Sequence, residues 1–185
     1  MMLPVPINDP NLQTFIDRLM ADKLVACSSP LNAPLPGDGV HFAVNKIKVK
    51  GYEPLRCHHN CRVHKLRHQG NVIYGWNLYS GVIEGNHVYV AQHHAIWENN
   101  GQFADVTPEY DEQIRHVQSF TFLPDNRVPI GHIVTFKIPS LFIYCAGMYC
   151  WASGLSDDSR FSKDYFETIA TSSDFAIQAL NLSSR

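Results

Sequence analysis

Two runs rich in β-branched and aromatic residues, His87 to Glu98 and Gln102 to Val106, flank the tripeptide Asn99-Asn100-Gly101. An Asn-Gly pair between strand-like runs is a strong local hairpin signal, because both residues adopt the positive φ that a tight turn requires. The signal commits the middle of the chain to an antiparallel sheet. It also sets His94 on one strand and Asp105 on its neighbour, within reach of each other if both side chains take the same face.

Upstream, Cys57-His58-His59-Asn60-Cys61 opens a segment that meets no helix breaker before His68, with Gly70 as a C-terminal cap. Cys57 is thus expected at a helix N-terminus, where free backbone N–H groups and the helix dipole favour a thiolate. A nearby imidazole can take the thiol proton, and a carboxylate on its other nitrogen can orient it. Cys57, His94 and Asp105 are therefore the expected catalytic set. His93 and His94 point to opposite faces of a strand, so only one serves as base. Cys61, one turn beyond Cys57, is the poorer nucleophile because it lies away from the helix end.

His94-Ala95-Ile96-Trp97, then Gly101, then Asp105-Val106-Thr107-Pro108 resembles the transglutaminase-like superfamily, with its His-Ala-Trp strand, Gly turn and Asp-Pro-Thr strand. The chain is also similar to a group of bacterial proteins with a Cys-x-x-Asn helix start, a Gly-Trp strand, a His-Ala-Val-Trp strand, an Asp-Ile-Thr-Pro strand and a Phe-Leu-Pro-Asp turn. The matching residues are Cys57 with Asn60, Gly75-Trp76, His94 to Trp97, Asp105 to Pro108, and Phe122 to Asp125. The resemblance covers the middle of the chain. It implies a papain-like or transglutaminase-like α+β fold, with a nucleophile helix packed on an antiparallel sheet. It picks His94 as base and implies acyl transfer on amide bonds without a cofactor, leaving hydrolysis, deamidation and transamidation open. The short chain makes water the expected acceptor, so an amidohydrolase, protease or glutamine deamidase is expected in preference to a transglutaminase. Two departures stand out: two residues separate His94 from Trp97, and Leu55-Arg56 precedes the nucleophile. The Cys57 backbone N–H is the default oxyanion donor. Tyr52 and Asn60 are candidates for a second, and Trp97 for a wall beside the imidazole.

A metal centre is the rival chemistry. Cys57, Cys61, His64 and His68 fall on one helical face, but they span roughly 16 Å, too far for one zinc. A mixed site would take Cys57, Cys61 and His64 with His93 from the sheet. A catalytically inactive binding module with the same fold is the third reading, since fold does not dictate activity.

The 185 residues, 45% hydrophobic and 17% charged, suit one α+β domain over residues 1–185, with its site segment at 51–126. Ten histidines cluster mostly between His58 and His94. Net charge is -2 and no basic run occurs, which disfavours nucleic acid as a partner. Five cysteines without repeated spacing argue against a disulfide framework. No secretory signal and no membrane-length apolar run is apparent, so a cytoplasmic protein acting on a peptide or protein substrate is expected.

Other elements follow from periodicity. Asp9 to Val25 reads as a helix capped by Asp9, Ser28 to Gly39 as a loop, and Val40 to Val49 as a strand. Further strands are expected at Val72 to Tyr79, Phe120 to Leu123, Ile133 to Ile138 and Leu141 to Tyr149. Glu109 to His116 reads as a polar turn or short helix. Ser159 to Leu182 reads as one or two helices.

Overall fold

The computed structural model describes residues 2–22, 37–83, 85–110, 112–127, 141–145 and 147–152. In chain order its elements are β1 (Leu3–Pro4), α1 (Leu12–Met20), β2 (Phe42–Lys46), α2 (Cys57–His68), β3 (Asn71–Ile83), β4 (Asn86–Asn99), β5 (Gln102–Asp105), β6 (Ser119–Pro124), β7 (Leu141–Cys145) and β8 (Met148–Ala152). Two helices on a predominantly antiparallel sheet make this an α+β protein. The expected strand at Ile133 to Ile138, the loop up to residue 36 and the C-terminal helices lie outside the described residues.

Strand order is β1-β3-β6-β2-β5-β4-β7-β8, and β3 also pairs with β4. That extra pairing closes β3, β6, β2, β5 and β4 into a ring. The sheet is therefore not wholly antiparallel, as the hairpin pattern suggested: β2 and β5 run parallel, with Asn45 opposite Ala104 and Lys46 opposite Asp105. Closure satisfies strand edges that an open sheet would leave exposed. It depends on Gly75, since a Cβ there would lie 2.2 Å from the Leu123 carbonyl oxygen and 2.6 Å from a Phe122 ring carbon.

The ring encloses Val44, Ile96, Phe120 and Phe122. Beyond it, β3 and β4 continue as a long ribbon, 13 and 14 residues in length, that carries β1 on one side and β7 and β8 on the other. Both strands are longer than their apolar runs, because pairing continues through Ser80 to Ile83 opposite Asn86 to Tyr89. The apolar run from Leu141 is interrupted at Gly147, whose φ of 84° turns it into the β7–β8 hairpin.

Helix α1 lays Leu12, Phe15, Ile16 and Leu19 on Trp76, Leu78, Tyr89, Ala91, Leu123 and Phe142. Each of these four buried side chains is worth about 1.5–3 kcal/mol. The helix is shorter than its periodicity suggests. Asp9 does not cap it: the Asp9 carboxylate accepts from the Asn11 N–H at 2.9 Å and from the Tyr89 hydroxyl at 2.7 Å, forming a turn before the first helical residue. The segment around Glu109 to His116 is turn, not helix. Among the described residues no helix is long and apolar enough to cross a membrane.

Candidate active site

Helix α2 begins at Cys57, and the chain enters it through Leu55, whose φ of 64° is unusual for a residue with a side chain. The first turn carries no acidic residue, while Lys65, Arg67 and His68 occupy the last. The positive end of the helix dipole is left uncompensated at the thiol. This helix is mostly polar and is held by specific bonds. Asn60 Nδ2 donates to Glu53 O at 2.8 Å and Thr107 Oγ1 at 3.3 Å, and Cys61 Sγ donates to Ala95 O at 3.2 Å.

That last bond explains where α2 sits. The outer edge of β4 pairs with β7 over Val88 to Gln92 and with β5 over Trp97 to Asn99, and neither strand pairs with His93 to Ile96. Helix α2 lies against this gap, with Cys57 and Cys61 packed on Ala95 and Val106. The Cys57 thiol is thereby brought to the mouth of the ring, where it lines one cleft with the His94 imidazole and interacts with its charge.

His94 points into the ring, edge-on to Phe120 with ring centroids 6.1 Å apart. Its Nε2 lies 3.2 Å from Asp105 Oδ1, which leaves Nδ1 for the thiol. Asp105 is fully buried. Oδ1 also accepts from the Thr107 N–H at 2.9 Å, and Oδ2 pairs with Lys46 Nζ at 3.1 Å. Lys46 completes the cluster through Glu109 Oε2 at 3.0 Å.

Burial opposes each of these charges, and the neighbouring charges overcome it. For Cys57, the imidazoles of His58 and His94 outweigh desolvation and bring the thiol well below its usual range. For His94, desolvation is outweighed by Cys57 and Asp105, and the imidazole is held up to about 10. Asp105 stays below the ordinary carboxylate range, because His94, Lys46 and the Thr107 N–H outweigh burial. Lys46 is raised by Asp105 and Glu109 against desolvation. These shifts favour a thiolate at Cys57 and an imidazolium at His94, with the Asp105 carboxylate behind them. Cys61 is the opposite case: burial, then Cys57 and Asp105, push its thiol upward.

Cys57, His94 and Asp105 are thus gathered in one site. The supporting residues are not. The Tyr52 hydroxyl turns away to His64 Nδ1 at 3.2 Å. Asn60 spends its amide on Glu53 and Thr107, tying the helix to the Asp105 loop. Trp97 lies on the other face of β4 from His94; its Nε1 donates to Gln69 O at 2.8 Å and its ring meets His64. The wall of the base is Phe120.

The residues of the mixed metal set have other partners. Cys61 is committed to Ala95 and His64 to Tyr52, while His93 stacks on His58 at 5.2 Å. Among the described residues no three His, Cys, Asp or Glu side chains converge as a metal site. His93 is not a surface residue, being 4% exposed and packed edge-on against Trp76.

Lys46 and His58 escaped the sequence reading. Lys46 becomes a neighbour of Asp105 only through the parallel β2–β5 pairing, 59 residues apart in sequence. The adjacency of His58 to Cys57 was visible, but its stacking on His93 and Tyr74 was not. A cleft of about 70 Å³ opens over the site, lined by Cys57, His58, Asn77, Tyr79, His93 and His94 among others.

No family model matches this chain, and neither a curated protein nor a solved structure matches it.

Proposed function

We propose that the protein is a cysteine-dependent acyl-transfer enzyme acting on amide bonds, with a papain-like or transglutaminase-like arrangement of Cys57, His94 and Asp105. The observation that carries this reading is the place of His94, which shares a cleft with the Cys57 thiol and has its Nε2 3.2 Å from the buried Asp105 carboxylate. A structural histidine has no need of a polarised thiol on one side and a carboxylate on the other.

In this mechanism Cys57 Sγ attacks the carbonyl carbon and the electron pair moves to the carbonyl oxygen. Collapse breaks the C–N bond, and His94 gives its proton to the departing amine. The thioester is then attacked by water, whose proton passes to His94, and the carboxylic acid leaves as the thiol is regenerated. Asp105 holds the imidazole in orientation throughout. Water is the acceptor we favour, so the substrate is a peptide or protein and the product a cleaved amide or a deamidated glutamine. We place the protein in the cytoplasm, with no nucleic acid or membrane as partner.

The test is release of ammonia or amine from a broad panel of glutamine-containing proteins and peptides. Wild type should turn over at least one, and Cys57→Ala and His94→Ala should turn over none while melting as folded proteins. Identical behaviour of wild type and Cys57→Ala across the panel overturns the reading in favour of a binding module. Activity that survives Cys57→Ala but not chelation overturns it in favour of a metal.

A further inference from the structure

An acyl-transfer site needs hydrogen-bond donors where the carbonyl oxygen gains charge. The first-turn N–H at Cys57 has no partner within its own helix and supplies one. Tyr52 and Asn60, the side chains expected to supply another, are occupied elsewhere. Across the cleft, β3 offers a different pair.

Asn77 and Tyr79 are two residues apart on one strand and share a face. In the β3–β4 register Gly75 faces His94, Asn77 faces Gln92 and Tyr79 faces Val90. The same face therefore carries His94, Asn77 and Tyr79 in succession. Gly75 has no side chain, so nothing from that position stands between Asn77 and the imidazole. Both side chains line the cleft that Cys57 and His94 line. Asn77 is 3% exposed and Tyr79 9%.

Their hydrogen bonding is incomplete in a particular way. The Asn77 amide stands beside the Tyr79 hydroxyl and, as a donor would, favours the phenol's ionised form against the larger effect of burial. Asn77 Oδ1 is buried without a hydrogen-bond partner among the described residues. A buried acceptor left unsatisfied costs about 1–3 kcal/mol. Such a group is tolerated where a ligand completes it. Burial holds the Tyr79 phenol protonated across the working pH range, with Glu109 reinforcing it, so it remains a donor. A donor hydroxyl beside a bare amide acceptor is complementary to a carboxamide, which presents a carbonyl oxygen and an N–H together.

Building on the thiol mechanism above, we propose that the Tyr79 hydroxyl donates to the substrate carbonyl oxygen as charge develops on it, and that Asn77 positions this hydroxyl and accepts the amide N–H. Tyr79 is then a catalytic residue and Asn77 a positioning residue that also favours amide substrates.

Two reagents separate this from a role in activating the thiol. Methyl methanethiolsulfonate reacts with a thiolate at sulfur and passes through no oxyanion. p-Nitrophenyl acetate acylates the thiolate: the Sγ–C bond forms, the C–O bond to the aryl group breaks, and p-nitrophenolate leaves with the electron pair. Both rates are measured at Cys57 in the full chain, with Cys57→Ala as background. Tyr79→Phe should lower acylation by roughly 10- to 100-fold and leave thiolation unchanged. Asn77→Ala should lower acylation in the same selective way by a smaller factor, and it carries the test if Tyr79→Phe does not fold. Equal losses in both reactions, or no loss in either, overturn the inference. If wild-type Cys57 reacts with neither reagent above background, the thiol mechanism itself falls and takes this inference with it. Normal acylation in wild type and in both variants removes the Tyr79–Asn77 role alone.

Discussion

His94 Nε2 and Asp105 Oδ1 lie 3.2 Å apart although their strands do not pair at those positions. The last β4–β5 pair is Trp97 with Ala104; beyond it β5 leaves β4 and Asp105 pairs with Lys46 on β2, its other neighbour in the ring. Ile96 and His94 share the inward face, so Asp105 meets His94 diagonally from inside the ring. The carboxylate is thereby held from three sides, by His94, Lys46 and the Thr107 N–H.

Asp105→Asn tests that arrangement. The amide fits the space but removes the negative charge that helps keep His94 protonated. Turnover should fall by about 100-fold or more, and the thiolate fraction of Cys57 near neutral pH should drop. The thiolate is read from its absorbance near 240 nm, with Cys57→Ala as blank. An unchanged absorbance would mean that Asp105 only packs.

The pH dependence of stability has a predictable shape. Cys57 is depressed in the folded state, so its contribution is present above the unfolded thiol value, about 8.5, and is lost as pH falls through the folded value. His94 is raised to about 10, so its contribution is complete below about 6.5 and is lost as pH rises through about 10. Below about 8.5, and above both about 6.5 and the folded Cys57 value, the two slopes cancel. The Tm difference between wild type and a Cys57→Ala/His94→Ala double variant should therefore be flat in that window and shrink on both sides. A difference that rises or falls steadily through the window would contradict the ion pair.

Thiol reactivity should be ordered by environment. At pH 6, iodoacetamide should modify Cys57 well before Cys61 or Cys145, whose thiols burial pushes upward. Peptide mass spectrometry after a short pulse reads the order. Cys61→Ala should leave the Cys57 rate intact, because Cys61 Sγ is engaged with the Ala95 carbonyl.

Asn60→Ala should cost stability and not chemistry. It removes the bonds to Glu53 O and Thr107 Oγ1 that tie α2 to the Asp105 loop, a loss of about 1–3 kcal/mol measured by urea denaturation. The ratio of acylation to thiolation at Cys57 should not change. A selective fall in acylation would return Asn60 to the oxyanion site.

Gly75→Ala should destabilise by about 1–3 kcal/mol or more, since the added methyl meets the Leu123 carbonyl where β3 closes on β6. Thermal melting of the variant checks this. A variant as stable as wild type would mean that the ring closes with slack at that point.

Much of this protein was legible from local pattern. The Asn100-Gly101 turn, the bounds of the Cys57–His68 helix and the order Cys57, His94, Asp105 all depend on neighbours close in sequence, through positive φ, uninterrupted helix formers and strand alternation. The direction of a side chain relative to a distant element is not encoded that way. Tyr52, Asn60 and Trp97 stood near the site residues in sequence, yet they hold α2 in place or face away from the imidazole. Lys46, Asn77 and Tyr79 carried no motif and became neighbours of the site only when β2 paired with β5 and β3 with β4. Nor could local pattern reveal ring closure, because strand pairing across long separations is decided by which edges remain unsatisfied after the hairpins form. Residue types and spacing determined what chemistry the chain can offer. Which thiol is activated was decided only when α2 filled the gap along β4: there the charges around Cys57 and His94 outweigh the burial that opposes them, while burial pushes the Cys61 thiol upward, and both effects belong to the packed structure.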